Sequence, residues 1–345
     1  MRLKAAVLAA TFLAASTAFA SDESVWQALP DVAPAPADNP TTREKIELGR
    51  MLYFDPRLSS TGTVSYFSCH NLTEGGDDHR PTSVGVHGQT GGRNAPTVWN
   101  AAFLSVQFWD GRAPTLEEQA KGPPVNPIEM GMADLDAVVD RIKRIPGYRP
   151  YFEAAFGKGD VITADNIARA IAAYERTLIT PNSPFDRYVK GDKSALTEQQ
   201  VRGMNTFREV GCMSCHQGPM FAGPELPTGT GFFQKFPVVA DSPYVAKYGL
   251  MEDKGRFEAT GDPADEHMWR VPSLRNLLHT APYMHNGAVK SLPEAVRVMA
   301  STQLGVTLTD QQVDDIVAFL ESLTSPFPEL TLPQLPPTPG DLLGP

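Results

Sequence analysis

Apolar residues recur at helical spacing in a few well-separated stretches of the chain. From Thr41, which can cap a helix, Arg43 to Phe54 carries Ile46, Leu48, Met51 and Leu52 on one face, and the pattern stops at Asp55-Pro56. The same periodicity predicts helices over 115–120 and 135–145. It is clearest from Ala164 to Leu178, where Ile167, Ala168, Ile171, Tyr174 and Leu178 form the stripe, before Pro181 to Pro184 breaks the chain. A second run opens at Thr197-Glu198-Gln199-Gln200 with a helix to about Phe207. Helices return at Leu292 to Met299 and Asp310 to Leu323. Gly218 to Arg270, rich in Gly, Pro and Asp, reads as loop, and few stretches alternate as strands do. The expected class is mainly α.

The order of elements repeats. Each half has an amphipathic helix, a short link, a Cys-His pair, a long irregular stretch and a closing helix followed by Pro. This predicts an internal duplication: a first domain over 21–185 and a second over 186–325. The Pro-rich segment 326–345 is expected to be an extended strap.

Arg2 and Lys4, the apolar run Ala5 to Ala15, and Ala18-Phe19-Ala20 before Ser21 have the layout of a secretory signal peptide spanning 1–20. No other apolar run approaches membrane length, so no membrane span is expected in the mature chain. A net charge of −10, more acidic still once Arg2 and Lys4 are removed, argues against nucleic acid or anionic lipid as a partner.

The three cysteines carry the chemistry. Cys212-Met213-Ser214-Cys215-His216 is a C-x-x-C-H, the pattern of covalent c-type haem attachment. Two thiols three residues apart on one helical turn can form thioethers to the two haem vinyls, and His216 follows as proximal iron ligand. Zinc would need two further ligands at similar spacing, which the chain lacks. A Cys212–Cys215 disulfide with Cys69 free is the simpler account, but it leaves the adjacent histidines unexplained. Cys69-His70 forms the second half of another such motif, but Tyr66 stands three residues before Cys69. Tyrosine forms no thioether. The first half therefore holds a haem by one covalent link at most, through Cys69 with His70 as ligand, or has lost its haem and kept the fold.

Several stretches resemble the bacterial dihaem cytochrome c peroxidase family, which also contains the MauG-type enzymes. They are Leu48-Gly49-Arg50-Met51-Leu52-Tyr53-Phe54-Asp55, Ser68-Cys69-His70-Asn71-Leu72, Arg93-Asn94-Ala95-Pro96-Thr97, Phe108-Trp109-Asp110-Gly111-Arg112, Pro127-Ile128-Glu129-Met130-Gly131, Arg275-Asn276-Leu277 and Pro282-Tyr283-Met284-His285-Asn286-Gly287. They run in family order from about residue 41 to 325, and Tyr66 is the sharp departure.

The resemblance implies two cytochrome c-like domains with haem c in their cores. The C-terminal haem, on Cys212, Cys215 and His216, would accept electrons from a small cytochrome c or copper protein. Its distal ligand would be Met299, with Met284 in reserve; spacing alone reads Met299 as core. The N-terminal haem, on Cys69 and His70, would meet hydrogen peroxide, with His87 as a removable distal ligand between flexible glycines. Glu129 would move the peroxide proton with Gln119 beside it, whereas read alone Glu129 is a solvated loop carboxylate. Trp109, otherwise a core residue, would lie between the haems. A calcium ion would be held by Asn94, Thr280 and Pro282.

The implied function is a periplasmic peroxidase reducing hydrogen peroxide to water, and family members often form homodimers. Two other readings are a MauG-like protein-oxidising enzyme and a monohaem electron carrier. The MauG-type enzymes carry tyrosine as the C-terminal distal ligand, so Met299 favours the peroxidase. The carrier is disfavoured by His87, Gln119 and Glu129.

Overall fold

Helix α1, Arg43–Phe54, forms where the pattern places it, capped by Thr42 rather than Thr41: the Thr42 hydroxyl accepts from the Lys45 amide. The computed structural model describes residues 25–340 and 342, so the expected signal segment lies outside the described residues. The chain continues through α2 (Tyr66–Cys69), α3 (Leu116–Val125), α4 (Leu135–Lys143), α5 (Arg149–Phe156), α6 (Ala164–Glu175) and α7 (Pro184–Val189). It ends through α8 (Glu198–Glu209), α9 (Pro243–Lys247), α10 (Phe257–Thr260), α11 (Leu292–Leu304) and α12 (Asp310–Glu321). The only sheet among the described residues is an antiparallel pair, β1 (Phe233–Lys235) with β2 (Met268–Arg270), Phe233 facing Arg270. The mainly α class holds.

The differences from the sequence pattern have local causes. Helix α7 starts inside the expected break because Pro184 fits the first helical position and Ser183 forms a capping box with Asp186. Helix α3 runs past Ala120 through Pro123 and Pro124. The carbonyls of these two prolines accept from the amides of Met130 and Met132, folding the 126–129 turn back on the helix. Helix α11 runs on to Leu304, so Met299 lies inside it.

Two helix pairs cross backbone to backbone. A Cβ on Gly49 of α1 would come within 1.9 Å of the Ala170 carbonyl oxygen on α6, and one on Gly203 of α8 within 1.8 Å of the Asp315 oxygen on α12. Each crossing anchors its own apolar cluster. One holds Leu48, Leu52, Tyr53, Ile167 and Ile171; the other holds Met204, Phe207, Val313, Ile316 and Phe319. At about 25 cal/mol per Å² of apolar area removed from water, such clusters supply most of the folding drive.

The two ends of the described chain cross over. Trp26 packs against Phe185, Phe221 and Phe319 in the second cluster, and the Leu29 amide donates to Asp186. Residues 326–340 run the other way without helix or strand. Phe327 stacks on Trp99 at 4.9 Å, Arg57 donates to the Pro336 carbonyl at 2.8 Å, and Leu342 is buried in the first cluster. Asp186 also forms a fully buried, two-bond ion pair with Arg275, at 2.8 and 3.1 Å, which fixes the Arg275-Asn276-Leu277 loop to α7.

Candidate functional site

Helix α8 stops at Glu209, and Gly211, with a positive φ of 99°, turns the chain into a single 3-10 turn, Cys212–Ser214. That turn carries both thiols, and His216 follows it, buried, with Nδ1 2.8 Å from the Phe221 carbonyl. Burial lowers the His216 pKa, so the ring is neutral; its Nδ1–H donates to Phe221 and Nε2 is left as a lone-pair donor. Burial also pushes the Cys212 thiol up to about 12.

Cys212, Cys215 and His216 line an apolar cavity of about 240 Å³, and Met284, Met299 and Trp109 line it with them. The chemistry of this wall fits haem c: two thiols, a neutral imidazole and apolar side chains for the macrocycle. Both methionines are present, so Met284 stays beside Met299 as a candidate ligand. Tyr283 also lines the cavity, but its hydroxyl donates to the Leu277 carbonyl at 2.8 Å.

The residues expected at calcium lie on the same cavity. Asn94 is buried; its side-chain nitrogen donates to the Arg80 carbonyl at 2.8 Å, while its carbonyl accepts from the Trp109 indole at 2.9 Å. Among the described residues, nothing donates to Asn94 Oδ1 or to the carbonyls of Thr280 and Pro282. Three oxygens without donors fit a hard cation.

Trp109 touches Trp269, which in turn carries His285 and Arg93, three residues with no role assigned above. Trp269 meets the Trp109 indole edge-on at 6.5 Å, His285 stacks on Trp269 at 4.2 Å, and the Arg93 guanidinium lies over the same ring. His285 Nε2 is buried without a partner, and burial lowers the pKa of the ring to about 4. Only the quoted Pro282-to-Gly287 motif signalled His285, and no pattern signalled Trp269.

The first Cys-His pair is built differently. Cys69 ends the one-turn helix α2 and His70 caps it, with Nδ1 3.2 Å from the Gly76 carbonyl and the Pro96 backbone beside it. Burial lowers the His70 pKa and raises the Cys69 thiol to about 11. Tyr66 is buried, donates its hydroxyl to the Ala120 carbonyl and stacks on Tyr53 at 5.8 Å. One thiol and one imidazole fit a haem held by a single thioether.

Glu129 lies within electrostatic reach of Tyr66 and Cys69 and lines a polar pocket of about 350 Å³ with Phe108, Arg112 and Asn126. It is half-buried rather than solvated. Burial raises its carboxyl above the ordinary range, with Arg112 and a 2.8 Å hydrogen bond from Asn126 pulling the other way. Gln119 is half-buried on α3, one residue before Ala120, and is not among the residues lining that pocket. His87 is exposed, on a 3-10 turn with φ of 58°. Its loop is bonded to the Glu129 turn: the Val86 amide donates to the Glu129 carbonyl at 2.8 Å and Gln89 to the Pro127 carbonyl at 3.1 Å.

Residues 43–194 match the sequence profile described as di-haem cytochrome c peroxidase. The cytochrome c551 peroxidase of Pseudomonas aeruginosa is 43% identical over 314 residues, covering 91% of this chain and 88% of that protein. The chain belongs to the dihaem cytochrome c peroxidase family. The cytochrome c551 peroxidase of Nitrosomonas europaea is 42% identical, covering 90% of this chain and 89% of that one. A crystal structure of a MauG-like protein associated with microbial copper homeostasis superposes with a TM-score of 0.75 at 30% identity, covering 92% of this chain and 96% of that one. As a member of this family the chain is a peroxidase-type oxidoreductase, and the family implies haem c. Among the described residues no helix is long and apolar enough to cross a membrane.

Proposed function

We propose that this chain is a periplasmic peroxidase that reduces hydrogen peroxide to water with electrons from a small cytochrome c or copper protein. It is read as two cytochrome c-like units, 21–185 and 186–325, related by duplication; the matching glycine crossings at Gly49 and Gly203 support that division. Haem c supplies the redox chemistry when bound. Cys212, Cys215 and His216, together with Met299, would hold it in the second unit, and Cys69 and His70 would hold it in the first.

The protein's own groups do the rest. Glu129, raised by burial, takes the proton from one peroxide oxygen and returns it to the other, and Gln119 hydrogen-bonds the substrate. His87 covers the first site and leaves on activation, Trp109 lies between the two sites, and Asn94, Thr280 and Pro282 hold calcium. One observation carries this reading: the His87 loop is bonded through Val86 to the turn that holds Glu129, so movement of the covering histidine acts directly on the acid–base residue. The Tyr283 hydroxyl, engaged by Leu277, supports methionine as the distal ligand and the peroxidase over the MauG-like alternative.

Haem count and turnover together test the proposal. The mature protein should weigh two haems more than its polypeptide and consume peroxide with a reduced cytochrome. A single haem returns the chain to the electron-carrier reading.

A further inference from the structure

The residue that erases the first thiol has work of its own. Four observations connect His70, Tyr66, Tyr53 and Ala120. Its amide donates to the Tyr66 carbonyl at 2.9 Å, and its carbonyl accepts from the Tyr53 hydroxyl at 3.0 Å. The two phenols stack at 5.8 Å with 21° between their planes. The Tyr66 hydroxyl donates to the carbonyl of Ala120, the residue after Gln119 on α3. Both rings are buried, at 3% and 0% exposure, and burial lifts both phenols well above their ordinary pKa, so they stay protonated donors.

From this geometry we infer that Tyr66, with Tyr53, is a positioning residue that replaces the missing covalent link by a clamp. A thioether at position 66 would tie α2 to the haem edge. The phenol instead ties α2 to α3, the helix that carries Gln119. Tyr53 holds the His70 carbonyl from the other side. The segment that supplies the iron ligand and the helix that supplies the substrate-side amide are thereby fixed to each other through protein alone. The inference rests on the proposed reading of His70 as an iron ligand and of Gln119 as its peroxide-side partner.

The clamp also differs from the second unit. Position 212, the counterpart of 66, carries a thiol, and among the described residues no phenol donates to the His216 carbonyl as Tyr53 does to that of His70. Removing one buried hydroxyl should therefore disturb only the first unit. A lost hydrogen bond of about 1–1.5 kcal/mol corresponds to about tenfold in a local opening equilibrium.

Tyr66→Phe and Tyr53→Phe in the full holoprotein test this, each removing one hydroxyl and leaving its ring. Amide hydrogen exchange in 66–72 should quicken about tenfold, with 212–218 unchanged. The electron paramagnetic resonance signal of the first haem should shift while that of the second stays, and kcat should fall with KM for peroxide unchanged. Unchanged exchange in 66–72, or equal acceleration in both units, overturns the clamp. If Tyr66→Phe fails to fold, Tyr53→Phe gives the same readouts. A wild-type mass of one haem overturns the two-haem reading, and the exchange data still decide the clamp.

Discussion

Gly49 meets Ala170 backbone to backbone, leaving no room for a methyl group where α1 crosses α6. At an ordinary helix interior position, glycine to alanine stabilises by up to about 1 kcal/mol. Here the sign reverses. Gly49→Ala should destabilise by more than about 2 kcal/mol through overpacking, and Gly203→Ala should do the same against Asp315. Urea unfolding of the two variants checks this; a stabilised variant would show that the crossing is not tight.

The buried pair Asp186–Arg275 joins the segment around Leu29, α7 and the 275–277 loop. Asp186→Ala would strand a guanidinium that is 2% exposed, at a cost of about 3–5 kcal/mol. Denaturant midpoints should show that loss.

Glu129→Gln should leave the haem absorption bands unchanged and lower peroxide turnover by about a hundredfold or more. The pH profile gives the sign. Burial raises the Glu129 pKa, and a base works only after losing its proton. Wild-type turnover should therefore rise with pH through a point above the usual carboxylate range, and the glutamine variant should lose that limb. An identical acid limb in both would remove Glu129 from the chemistry.

Glu175 near the end of α6 is 4% exposed, with Oε2 unpartnered, and burial raises its pKa to about 8. A folded-state pKa above the unfolded one gives stability that is complete below the unfolded value and lost as pH rises through the folded value. The protein should lose roughly 3 kcal/mol between pH 5 and pH 8 from this residue. Glu175→Gln should flatten the dependence of Tm on pH over that window.

The long helices were legible because each has an apolar stripe and most have a capping side chain: Asp134 caps α4 and Thr163 caps α6, while α11 has no such cap. Both Cys-His pairs were legible as motifs. Helix α5 has only eight residues, and the start of α7 hid behind a proline that also reads as a break. The strands, three residues each, are too short to alternate visibly. Glu175 looks like a solvent-facing helical carboxylate until α6 is seen to be buried on nearly every side. The Trp109–Trp269–His285 stack and the Tyr66–Tyr53 clamp join positions far apart in the chain or on different elements. Local periodicity cannot report them.

The crossed straps put construction of the molecule in a definite order. Synthesis delivers Trp26 long before α12 exists to receive it, and Leu342 closes the first cluster only after nearly all of the chain has been made. The half that is made first is therefore finished last. Throughout that interval the core that holds Tyr66 stays unclosed.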